Sequence, residues 1–129
     1  MTNTNNGIYV ETINEVDSAI TWGETEVAFV IDDNQFIIRS AATLTLEDNV
    51  VLKFKNGSVL QLDDGPPNVP NYNGTGVAFT SYKDDTRKGD TNGDGSATSA
   101  SSGDWIGVYD NTIPVSDYLN WSNIHYDSH

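Results

Sequence analysis

The chain has 129 residues, 36% of them hydrophobic, and nineteen acidic side chains against six basic ones give a formal charge of −13. That length suits one domain. The charge excludes nucleic acid, whose binding needs Lys and Arg to displace condensed counterions, and an anionic membrane surface repels it too. With no cysteine in the sequence, disulfides, thiolate-bound metals and a cysteine nucleophile are also excluded.

Residues 1–7 are polar, with neither the charged start nor the apolar run of a signal peptide. A secreted form is expected to have lost a leader, or to be an excised module with Met1 added. We take residues 1–18 as an N-terminal lead or cap, although Ile8–Ile13 suits a first strand. From Ala19 onward short runs rich in β-branched or aromatic residues follow one another: Val27–Ile31, Phe36–Arg39, Thr43–Leu46, Val50–Phe54 and Ser58–Leu62. Turn formers bound them at Gly23-Glu24, Asp32-Asp33-Asn34, Ser40-Ala41, Glu47-Asp48-Asn49 and Asn56-Gly57. Short strands at such spacing predict an all-β fold. No stretch has the i, i+3, i+4, i+7 spacing of a buried helix face, and no run approaches the roughly 18 apolar residues of a membrane span.

The stretch 63–76 reads as a loop, because Gly65-Pro66-Pro67, Pro70 and Asn73-Gly74 forbid regular pairing. Val77–Tyr82 returns to the strand pattern. Residues 83–104 then form a long polar excursion with almost no large apolar side chain. A compact domain rarely carries such a segment unless it is functional or ordered by a ligand. Trp105–Tyr109, Tyr118–Trp121 and Asn123–Tyr126 complete the strand-like runs. Two all-β architectures suit this pattern. Asn56-Gly57 is a strong hairpin signal and favours an antiparallel β-sandwich. Alternating apolar positions in closely spaced strands equally suit successive faces of a solenoid coil.

The order of the pieces favours the solenoid. Ala41-Ala42-Thr43-Leu44-Thr45-Leu46-Glu47 followed by Val50-Val51-Leu52-Lys53-Phe54 resembles a recurrent coil of secreted bacterial right-handed parallel β-helix proteins, the pectate-lyase-like solenoids. Phe79–Asp85, then Gly89–Gly95, then Gly103–Val108 is similar to that family's calcium-loop insertion. Leu119–Tyr126 looks like the next coil. The likeness spans residues 19–127 and is most specific in its middle block. It implies a β-helix domain over 19–129 with the insertion at 83–104, and an extracellular or bacterial cell-surface location. One departure concerns a turn: Glu47-Asp48-Asn49 stands where the family has Pro-Gly, and Asn49 is expected to supply the left-handed conformation. The chain also stops at His129 where the family continues for further coils, and a solenoid end left uncapped there is expected to invite end-to-end self-association.

The insertion has its own chemistry. In Asp90-Thr91-Asn92-Gly93-Asp94-Gly95-Ser96, side-chain oxygens fall at positions 1, 3 and 5 of an EF-hand-like loop. Gly95 stands at position 6, and the Ser96 carbonyl is expected at position 7. Calcium takes about 6–8 oxygen ligands, which alternate residues of a tight loop can direct inward. Position 12 is Ser101 rather than Glu, so further oxygens are expected from the flanks, with Asp84, Asp85 and Asp104 as candidates. The expected ligand is Ca2+, bound by Asp90, Asn92, Asp94, Ser96, Asp104, Asp84 and Asp85.

The expected function is a non-catalytic, calcium-stabilised structural or adhesive module, with a glycan or another surface protein as partner. The alternative is a fragment of a polysaccharide lyase or glycoside hydrolase, for which Lys83, Arg87 or Lys88 would be the base beside the acidic loop. Trp22 and Trp105 are read as core, and Trp121 and Tyr72 as the aromatic residues open to sugar stacking. His125, between Ile124 and Tyr126, is expected to face solvent.

Overall fold

The computed structural model describes residues 7–10, 15–32, 34–89, 91, 93 and 97–129. Within them the chain is all-β, and its pairing is parallel almost throughout. The strands are β1 (Gly7–Val10), β2 (Glu15–Val16), β3 (Ala19–Trp22), β4 (Ala28–Ile31), β5 (Gln35–Ile38), β6 (Thr43–Leu46), β7 (Val51–Phe54), β8 (Val59–Leu62), β9 (Ala78–Ser81), β10 (Gly107–Asp110) and β11 (Asp117–Tyr118). A single 3-10 turn, Pro66–Asn68, interrupts them. Among the described residues no helix is long and apolar enough to cross a membrane.

The strands form three sheets, in the orders β1-β4-β7-β9, β2-β5-β8-β10-β11 and β3-β6. From β1 to β10, consecutive strands therefore fall in different sheets, and each pairs in parallel with a strand further along the chain or before it. Ile8 lies opposite Phe29, Phe29 opposite Leu52, and Leu52 opposite Phe79. These spacings are roughly 21–27 residues, within the range of repeat architectures, and the excursion lengthens the step from Leu60 to Val108. Among the described residues, only β10 and β11 pair antiparallel. Gly7–Val10 and Glu15–Val16, inside the stretch taken as a lead, pair with β4 and β5 and so extend the same sheets.

This overturns the antiparallel sandwich suggested by Asn56-Gly57. Those residues do make a tight turn, with Gly57 at φ +79°, but β7 and β8 on either side belong to different sheets. The turn changes the chain's direction at a corner without folding it back on itself.

The core lies between the sheets. Phe29, Leu52 and Phe79 stack in one row, Ile31 and Phe54 in the next, Phe36, Leu60 and Val108 in a third; Leu44 and Leu46 close the remaining side. Trp105 is wholly buried, its ring parallel to that of Phe54 at 4.1 Å, as the sequence implies for a residue plugging the core. Trp22 stacks on Phe29 at 4.4 Å.

Side-chain amides serve the corners, where no strand pairing satisfies the backbone. Buried Asn68 donates to the carbonyls of Arg39 and Ala42 and accepts from the Asp64 amide. Asn71 donates to the Leu46 carbonyl, and Asn123 to those of Tyr72 and Val77. An amide side chain suits this task because it carries both donors and an acceptor. Asn49 adopts φ +68°, the left-handed turn expected of it, and its N–H donates to Thr75 of the following circuit.

One sheet differs from the others. β5, β6 and β8 alternate buried with more exposed positions, whereas every described side chain of β4, β7 and β9 is buried. The inner set joins the main core; Ala28, Val51 and Ala78 form a separate apolar cluster. A sheet buried on both faces needs a second layer, and the polar excursion provides it.

Candidate functional site

The outer face of the β1-β4-β7-β9 sheet presents Val30, Lys53 and Thr80 in adjacent register. Lys53 is 0% exposed. Its ammonium donates to the Asp84 carbonyl at 2.7 Å, the Gly89 carbonyl at 3.0 Å and Thr91 Oγ1 at 2.7 Å. An ammonium has three protons to donate, and these oxygens are among its partners. Removing such a charge from water costs several kcal/mol unless it is fully bonded, which is why the excursion wraps it with its own oxygens. Thr91 also approaches β1 and β4: a methyl group added at Gly7 would meet Thr91 Cγ2 at 3.1 Å and Val30 Cγ2 at 2.8 Å.

Asp84 forms a second anchor. Its side chain is 1% exposed. Oδ2 accepts from Thr80 Oγ1 and Arg87 Nη1, each at 2.7 Å, while Oδ1 accepts from the Thr86 amide at 3.0 Å and from its hydroxyl. Burial by itself would raise this carboxyl. The bonds from Thr86, Thr80 and Arg87 outweigh it and hold the group below the usual carboxylate range. At the outer margin the Lys88 ammonium donates to the Thr25 carbonyl. Arg87 extends its other nitrogen to His125 Nε2 at 3.1 Å.

Asp104 closes the far end of the excursion. Oδ2 accepts from Ser81 Oγ at 2.6 Å and from the Ser101 amide at 3.0 Å, which caps the turn before Trp105. Asp84 and Asp104 thus direct oxygens at protein donors. Asp85 follows Asp84 and is half-buried. Asp90, Asn92, Asp94 and Ser96 lie outside the described residues. Among the described residues no three His, Asp or Glu side chains converge as a metal site.

Beside the excursion lies a shallow cleft of about 370 Å3, whose lining includes Asp32, Lys55, Asn56, Tyr82, Lys83 and Asp104. Asp32, Lys55 and Tyr82 directly follow strands that lie in register. Lys55 bridges Asp32 at 3.0 Å and stands 5.0 Å from the centre of the Tyr82 ring. The two aromatic residues expected to be open to sugars, Tyr72 and Trp121, are half-buried, stack on each other at 4.0 Å and pack against the core. His125 is half-buried against Arg87 instead of facing solvent.

Compared with family models, with curated proteins and with solved structures, the chain matches none.

The sequence points to the acidic flanks of the excursion but not to Lys53, its main anchor. One signal was available. Val50-Val51-Leu52-Lys53-Phe54 is an unbroken apolar run with a single lysine inside it, the pattern of a strand buried on both faces.

Proposed function

We propose that the chain is a segment of a right-handed parallel β-helix that serves as a non-catalytic, calcium-ordered structural or adhesive module outside the cell. The recurrence of each strand about one circuit later supports the solenoid, and parallel returns of this kind are nearly always right-handed. The observation that carries the functional reading is how the excursion uses its charges. Lys53, Arg87 and Lys88 all donate to the excursion or to its neighbours in the fold. Arg87 and Lys88, two of the three candidates for the base of a lyase, hold the segment down; the third, Lys83, is exposed and lines the cleft.

In this reading calcium is held by the oxygens of Asp90, Asn92 and Asp94 and the Ser96 carbonyl, with Asp84, Asp85 and Asp104 as the candidates for the flanking oxygens that complete the shell. It orders the part of the excursion beyond the Lys53 anchor. Fixing each residue costs about 1–2 kcal/mol of backbone entropy, and a multidentate ion offsets part of that. The adhesive role rests on the cleft, where a tyrosine ring, an amide and two ammonium groups offer the mixture of apolar face and hydrogen-bonding groups that a sugar ring requires.

Calorimetry on chelator-treated protein tests the metal directly. One calcium site and a rise in melting temperature are expected, with both lost in Asp94→Ala. No binding heat together with an unchanged melt would remove calcium from the account. A glycan array with and without chelator tests the adhesive role separately, and failure there alone leaves a spacer.

A further inference from the structure

Arg87 ties the near end of the excursion to segment 123–127, which the main chain of Phe79, Gly103 and Asp104 already bonds to β9 and to the excursion's far end. One guanidinium nitrogen donates to Asp84, which Thr80 ties to β9; the other meets His125 Nε2 at 3.1 Å. His125 is itself fixed. Its N–H donates to the Phe79 carbonyl, and its own carbonyl accepts from Trp105 Nε1 at 2.9 Å. Arginine has only donors and stays charged at any ordinary pH. Nε2 must therefore be the bare nitrogen of a neutral imidazole carrying its proton on Nδ1.

We propose that the Arg87–His125 contact is a proton-sensitive latch that fastens the turn around Arg87, at the near end of the excursion, to the segment 123–127 and opens on acidification. A proton on Nε2 turns the acceptor into a donor and sets imidazolium against guanidinium. Among the described residues, the charged groups that act on the ring are Arg87 and Asp84 from the excursion and Asp127 from its own segment. Burial and Arg87 favour the neutral ring, Asp84 and Asp127 oppose them, and the balance lies below the ordinary histidine value. Asp127 itself is pushed up by burial, which weakens its support for the imidazolium in the acid range.

The sign follows from linkage. A group whose folded value is depressed contributes stability that is complete above its unfolded value and is lost as pH falls. The latch is therefore closed above the ordinary histidine value of 6.5 and opens as pH falls through the lower folded one. The Lys53 and Asp84 anchors do not involve the ring. The opening is therefore local, loosening the outer turn around Arg87 while the sheets stay intact.

Hydrogen exchange of the whole chain, kept in chelator so that acid release of calcium cannot imitate the effect, tests this between about pH 5 and pH 8, the range in which histidine is the side chain that changes charge. Protection of the 84–91 amides, corrected for intrinsic rate, is expected to fall several-fold toward the acid end while that of β7 holds. His125→Gln keeps an acceptor for Arg87 but cannot titrate, and its protection is expected to be independent of pH. Imidazole nitrogen NMR of the unmodified protein provides a second readout that needs no variant: a neutral ring protonated on Nδ1, titrating below 6.5. Equal pH profiles for wild type and His125→Gln, or a ring titrating at or above the ordinary value, would overturn the latch.

Discussion

At the scale of single residues, a buried lysine does what an acidic loop seemed required to do. Lys53 faces away from the main core, and on the outer side of its sheet it meets three oxygens from the excursion. Lys53→Met keeps the bulk but leaves two carbonyls and a hydroxyl without their donor. A cost of about 3 kcal/mol is expected from stranding such groups. Denaturant unfolding measures it, and protease sites within 83–104 should open before global unfolding. Asp84 adds a dependence on pH. Its carboxyl is depressed from the ordinary 3.8, so its contribution is complete above that value and is lost as pH falls toward the lower folded one. Unfolding midpoints between about pH 7 and pH 2.5 should fall less steeply for Asp84→Asn than for wild type, because the variant has already lost that term. Parallel curves would assign the group no such role.

At the scale of elements, the corners govern how the strands stack. Asn49 holds a left-handed turn, and its side chain nests against Gly76, where an added methyl group would come within 2.2 Å of Asn49 Oδ1. Asn49→Gly is expected to change stability little. Asn49→Ala should cost about 1–2 kcal/mol, the penalty of a Cβ in the left-handed region, and thermal melts of the two variants separate these outcomes. Much at this scale was legible in the sequence. The runs Thr43–Leu46, Val50–Phe54 and Ser58–Leu62 each contain a strand within a residue of its observed bounds, because β-branched residues between turn formers leave little freedom. Pairing was harder to read: Asn56-Gly57 fits a hairpin and a corner equally well, and only contacts one circuit away distinguish them. The candidate site was legible only in part. The excursion's length and polarity mark it as special, but its attachment depends on which side of β7 carries Lys53, and that is settled by tertiary stacking.

For the whole molecule, the account makes 83–104 a second layer over a sheet buried on both faces. The outer cluster of Ala28, Val51 and Ala78 is small, so polar anchors take up much of what apolar area would otherwise do. Such a layer differs from a mobile loop in how slowly its amides exchange. Native-state hydrogen exchange on the wild-type chain near neutral pH distinguishes the two. The account predicts that the amides of Asp84, Thr86 and Thr91, which donate to Ser81, Asp84 and Gly89 respectively, are protected together with those of β7 and β9. Exchange of residues 84–91 at free-peptide rates, with β7 still protected, would contradict it.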